Sequence, residues 1–244
     1  MQSDLILPLI IALIAALYGS VGHAGASGYI AVMALCGVAP ALLKPTALSL
    51  NLVVAVVATL AFVRMGWFRW RLFLPFAVAS VPCAFLGGTL KLPTETYKVV
   101  LALVLVYAGW RLLTAGRPQD LDEEVHPPRW PVALAVGAAI GLTSGLIGVG
   151  GGIFLSPLIM LAGWAGPRTT AATSAAFILV NSAAGLAGHG LAVGSLPAQA
   201  PLWAMCALAG GLAGAWLGAA RLPPVLLRRV LAVVLVLAAI KLAI

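Results

Sequence analysis

Apolar stretches recur along the whole chain, at about 5–21, 26–43, 45–63, 72–90, 96–114, 131–147, 152–165, 170–188, 198–220 and 225–244. Several reach the roughly 20 residues that cross a bilayer as helix. Alternation with period two is absent, so the pattern predicts membrane helices and argues against a transmembrane barrel. Two stretches are interrupted by glycine, in YGSVGHAGASGY at 18–29 and in SGLIGVGGGIF at 144–154. Gly19, Gly22 and Gly25 return at one constant offset as Gly145, Gly148 and Gly151, and PTETYKVVLA at 93–102 returns in outline as PPVLLRRVLA at 223–232.

Residues 19–113 and 144–243 therefore read as one stretch written twice. The expected fold is an all-α polytopic membrane protein of two repeats, 1–114 and 131–244. Each repeat has about four transmembrane helices, the first broken at a glycine-rich hairpin. The polar segment AGRPQDLDEEVHPPRW at 115–130 joins them. An apolar chain built from two such halves reads as a secondary transporter.

Composition agrees, with 63% hydrophobic residues, 8% charged and a mean hydropathy of +1.12. These values lie far outside those of soluble domains. The net charge of +8 does not point to nucleic acid, because basic residues stand singly or in threes at the ends of apolar runs. Cys36, Cys83 and Cys206 lie in apolar segments without metal spacing and read as packing residues. No cofactor motif is present. The N-terminal stretch has Asp4, no Lys or Arg before it and no clear small-residue cleavage site, and reads as a retained helix.

Charge also bears on sidedness. With four simple crossings per half, Lys and Arg divide seven to seven, and the positive-inside rule is silent. If each glycine break forms a hairpin, the second half is inverted; all ten arginines then fall on the linker side and the four lysines opposite. This expectation places the linker in the cytoplasm and both termini outside. Re-entry halfway and double crossing give the same parity, so that choice stays open.

Glycine runs free the backbone from helical geometry and let amide N–H groups face a ligand at the positive end of the next helix. Gly22, Gly25, Gly148, Gly150, Gly151 and Gly152 are candidate donors to an anion on this basis, with Ser27 beside them. Close packing by small residues is the competing role, and the duplication of the break favours a binding site. The following helices carry Thr46, Ser49, Asn51, Thr173, Ser174, Asn181 and Ser182 in apolar surroundings. Hydroxyls in such places commonly bond their own helix or a neighbour. Asn181 is costlier to bury and has both a structural and a pathway reading.

Acids are missing from the core, since only Asp4 and Glu95 lie outside the linker and both sit near helix ends. A cation substrate is thereby disfavoured. His23 in the first break and His189 near the end of the Asn181 helix are candidates for coupling protons to anion movement, with a structural role as the commoner alternative. Lys44 and Arg168, each just before a polar helix, read as interfacial anchors or as anion attractors at opposite mouths.

The stretch GLIGVGGGIFLSP at 145–157, with AATS at 171–174 and NSAAGLAGH at 181–189, resembles the sulfite exporter TauE/SafE family, also described as sulfonate uptake permeases. The resemblance covers nearly the whole chain. It implies a bacterial inner-membrane carrier for small sulfur-containing anions such as sulfite, thiosulfate or sulfonates. By this resemblance Gly148, Gly150, Gly151, Gly152, Pro157, Thr173, Ser174, Asn181 and Ser182 become pathway candidates. The first half departs from the pattern with GHAGASG at 22–28, where His23 and Ser27 alter the donors.

Two other classes remain in view. A passive anion channel has the same composition. Gly25-Ala26-Ser27-Gly28 also looks like the GxSG of rhomboid intramembrane serine proteases, with His189 as a base. The repeat argues against that reading, because Ile153 stands where Ser27 would recur.

Overall fold

The computed structural model describes residues 2–19, 23–90, 92–114, 125–190 and 196–218, together with 233, 235–236 and 239–240. Gly22, Lys91, Arg117, Arg221, Arg228, Arg229, Lys241, most of the linker and the loop 191–195 lie outside the described residues.

The described residues form nine helices and no strand. They are α1 (Gln2–Gly19), α2 (Ala26–Leu35), α3 (Pro40–Arg64), α4 (Trp70–Thr89), α5 (Thr94–Thr114), α6 (Trp130–Ile147), α7 (Gly152–Leu161), α8 (Pro167–Gly188) and α9 (Ala200–Gly218). Helices α3, α4, α6 and α8 are long and apolar enough to cross a membrane. Helices α2 and α7 have 10 residues each. At 1.5 Å per residue each reaches about 15 Å, half the hydrocarbon thickness.

These short helices correct two boundaries expected from hydropathy. The apolar stretch 26–43 is divided between α2 and the start of α3, and 152–165 ends as helix at Leu161. The cause is local. Proline stands in the first turn of α3 and of α8, where its missing N–H costs nothing, and it closes off the preceding segment.

The order of the first four helices, long, short, long, long, returns in α6 to α9 of the second half. The pairings between halves are reciprocal: α4 of the first lies along α6, the opening helix of the second, and α9 of the second lies along α1, the opening helix of the first. Helices α3 and α8 face each other between these pairs. In lipid such contacts depend on close van der Waals packing. A Cβ placed on Gly137, Gly141 or Gly145 of α6 would collide with the backbone of Phe76, Ser80 or Ala84 of α4. On the other side, Gly210 and Gly214 of α9 lie equally close to Ala12 and Ala16 of α1.

Two apolar clusters fill the interior. One gathers α1, α2, α3, α5 and α9 around Ile11, Tyr29, Leu50 and Leu101. The other is aromatic, with Phe73, Phe76 and Phe177 among α4, α6, α7 and α8. Leu9, Leu13, Leu103, Leu161 and Met205 are exposed, which is the surface a helix bundle offers to acyl chains.

Candidate functional site

Both glycine breaks end in left-handed backbone that launches a short helix. Gly25, at φ 96°, is the N-cap of α2, and Gly151, at φ 82°, is the N-cap of α7. Side chains with a Cβ are strained there, so glycine supplies the turn. In α2 the first intrahelical bond is donated by the amide of Tyr29 to Gly25 O, at 3.0 Å. The amides of Ala26, Ser27 and Gly28 precede it and are the orphan donors of the helix start.

The α2 start opens on a small cavity between the halves of about 10 Å³, room for the centre of one water. From the first half it is lined by Tyr18, residues 23–27 and Asn51. From the second half it is lined by Val149 in the break, Ile153 in the first turn of α7 and Ile178 on α8. His23, Gly25, Ser27 and Asn51, expected from the sequence to belong together, therefore meet at one place.

Hydrogen bonds tie the halves together around this point. His23 Nε2 lies 2.9 Å from Ser156 Oγ of α7, which lies 2.7 Å from Ser174 Oγ of α8. Asn51 Nδ2 donates to Val149 O at 3.4 Å and to Ser182 Oγ at 3.5 Å, both long contacts. Asn51 Oδ1 is buried without a hydrogen-bond partner. Across the first break, Tyr18 OH and Ser27 Oγ are 2.8 Å apart, and His23 N donates to Tyr18 O at 2.9 Å. The Ser27 hydroxyl is thus engaged with Tyr18, and His189 is the C-cap of α8, outside the cavity lining.

The other expected residues divide clearly. Gly150 lies against Asn51 and Ser182, Gly152 against Ile178 and His23, and Gly151 against Phe177 and Ile140. Asn181 accepts from Ser80 Oγ at 2.6 Å and donates to Phe177 O at 2.8 Å, so it clamps α8 to α4 and does not line the cavity. Pro157 lies inside α7, also away from the lining. Ser49 bonds back to Pro45 O at 2.9 Å. Thr46 and Thr173 are buried with unpartnered hydroxyls, and Thr46 lines a second, larger cavity of about 350 Å³ between α3 and the start of α9.

Lys44 differs most from its sequence reading. Only 6% exposed, it is no interfacial anchor: its Nζ donates to Gly87 O at 3.3 Å and Gly88 O at 3.0 Å, at the C-terminal end of α4. A helix end favours positive charge and needs donors for its last carbonyls, and Lys44 supplies both. Its stem packs against Gly148. Lys44→Met, which keeps much of the stem and removes the charge, is expected to cost about 1.5–3 kcal/mol, read as a lower thermal midpoint of purified protein. Arg168, in contrast, is exposed and sits 4.8 Å over the Trp67 ring, as an interfacial residue would.

Ser156, Ser80 and Tyr18 were not singled out by sequence reasoning. Ser156 lies within the GLIGVGGGIFLSP stretch, next to Pro157, and was legible only as one more small residue.

The model of the family described as Sulfite exporter TauE/SafE matches residues 7–242. The chain is also 41% identical over 231 residues to the "Probable membrane transporter protein y4hK" of Sinorhizobium fredii (strain NBRC 101917 / NGR234), covering 94% of each. No solved structure matches. This is a family of transporters, not of enzymes, and the serine-protease reading of Ser27 falls with it. The long apolar helices, the paired glycine breaks and the match over nearly the whole length agree, and the chain is an integral membrane protein that belongs to the sulfite exporter TauE/SafE family.

Proposed function

We propose that this transporter carries small sulfur-containing anions, such as sulfite, thiosulfate or short sulfonates, by alternating access. One observation carries the reading: the first turns of α2 and α7, one from each half, border the same central cavity. Helix starts favour negative charge, and the core offers no carboxylate to repel it. Glu95, the one acid on α5, is 81% exposed and paired with Lys98.

The two halves are inverted copies that rock about this cavity. The reciprocal pairing of α4 with α6 and α1 with α9 supports a two-fold relation, and the half-span length of α2 and α7 supports re-entry over a double crossing. The linker is cytoplasmic, the termini are outside and the membrane is the bacterial inner membrane. His23, bonded across the halves to Ser156, is the candidate for coupling a proton. A carrier is favoured over a passive channel because the space shared by the two halves is only about 10 Å³, room for the centre of one water.

Thermal stability of purified protein against a panel of anions tests this reading, since a ligand that binds the folded state adds about 2.7 kcal/mol at a hundred times its Kd. Sulfur oxyanions or sulfonates are expected to raise the midpoint, and the same anions to show saturable counterflow in proteoliposomes. Asn51→Leu is expected to abolish the shift while the protein still purifies as a folded species. A shift from other solutes only, or current without exchange, would sink the proposal.

A further inference from the structure

The larger cavity, of about 350 Å³, lies between α3 and the start of α9. Its α3 wall is the stripe Thr46, Ser49, Leu50 and Val53, which spans about 10 Å of helix and runs past the level of Asn51 in the small cavity. Pro197, Ala198 and small residues of α9 make the opposite wall. A space of this size suits a small organic anion, which the gap between the halves does not hold in this structure.

The duplication places an equivalent space between α8 and the start of α4, and there it is filled. Counted from the prolines that open α3 and α8, Phe177 stands where Leu50 stands. Counted from the starts of α4 and α9, Phe68 stands where Ala198 stands and Trp67 where Pro197 stands. Phe177 is fully buried in the aromatic cluster, Phe68 packs against that cluster, and the rings of Phe68 and Phe73 are 5.3 Å apart. Two further contacts hold this side together. Ser80 Oγ donates to Asn181 Oδ1 between α4 and α8, where the counterparts are Gly210 and Val54, and Arg168 covers Trp67, where they are Ala41 and Pro197. Neither contact can form on the cavity side. Val125 packs against the aromatic cluster and His126 N donates to Trp164 O at 2.8 Å, so the filled space lies on the linker side. Helix α3 ends where α4 begins, which puts its start, and the cavity, at the other end of the bundle.

We propose that the larger cavity is the water-filled entrance to the transport path on the side away from the linker, and that Phe68, Phe73 and Phe177 form the closed gate of the linker-side mouth. This inference rests on the transport reading above and adds where the anion enters and what stops it. In this state a solute reaches the path from one side only. Release on the linker side requires the start of α4 to part from α8, which uncovers Ala176 as the face of Ser49 closes.

Thiol labelling of single-cysteine proteins tests this, with Cys36, Cys83 and Cys206 replaced by alanine. Ser49 is half-buried in the cavity wall, and Ala176, its equivalent behind the gate, is buried. The charged reagent 2-sulfonatoethyl methanethiosulfonate needs water and a thiolate, and a buried thiol reacts only while its surroundings are open. It is expected to label Ser49→Cys at least about tenfold faster than Ala176→Cys. Adding Phe68→Ala should speed Ala176→Cys by about fivefold and leave Ser49→Cys within about twofold. Labelled Ser49→Cys should lose counterflow of methanesulfonate in proteoliposomes, because the label occupies the mouth. Equal rates at the two positions overturn the inference, as do wild-type counterflow after labelling and a Ser49→Cys that only an uncharged maleimide reaches, the mark of a lipid-filled crevice. Unchanged labelling of Ala176→Cys in folded Phe68→Ala overturns the gate; should that variant not fold, the ratio of the two rates still decides. If unlabelled protein moves no anion at all, the transport reading fails and takes the inference with it, whatever the rates.

Discussion

Gly151→Val is expected to reduce transport to background while the protein remains folded in the membrane. The residue sits at φ 82°, where a β-branched side chain is strained by about 1–3 kcal/mol. A Cβ there would also lie 2.9 Å from Phe177 Cε1 and 3.0 Å from Ile140 Cγ2. Relief comes by moving the start of α7, which displaces Ile153 from the cavity wall. The seams between α4 and α6 and between α1 and α9 are untouched, so the bundle holds. Flux of a bound anion in proteoliposomes, beside a size-exclusion profile in detergent, checks both halves of the statement, and Gly151→Ala should lie between. Wild-type flux in the valine variant would remove the proposed site.

Gly145→Leu is expected to behave in the opposite way, with folded protein lost before transport can be measured. A Cβ at Gly145 would overlap the carbonyl of Ala84 and lie 2.9 Å from its Cα. Backbone atoms cannot turn aside as a side-chain tip can, so a leucine must push α4 and α6 apart along their whole length. Overpacking of this kind costs about 3 kcal/mol or more, and in lipid no hydrophobic force between helices opposes the separation. The expected readout is aggregation on detergent extraction, with a collapsed monodisperse peak. A monodisperse Gly145→Leu with an unchanged thermal midpoint would contradict the close seam.

These two glycines lie in one run of sequence and read alike there, yet one serves a turn and the other a seam. The sequence made the breaks legible because a duplicated glycine cluster inside apolar helices has few structural uses. It also made the polar helices legible, since Asn51, Ser174 and Ser182 stand out against alanine and leucine. What it could not convey was partnership between the halves. Ser156 meets His23 only because α7 returns beside the first break, and Asn181 meets Ser80 only because α8 lies on α4. No spacing within either half encodes those contacts. Lys44 was misplaced for a related reason: position near a helix start suggests the membrane surface, but the end of α4 lies beside it and takes the charge.

The exchange of partners between halves also sets a timetable for biogenesis. Helix α1 leaves the ribosome first, but the helix that closes on Ala12 and Ala16 is α9, which begins at Ala200. At ordinary elongation rates α1 waits roughly 10–40 s in the bilayer with its small-residue stripe facing lipid. The first half cannot complete its own packing until α9 has been made, and a chain stalled before that point presents an unsatisfied seam to membrane quality control.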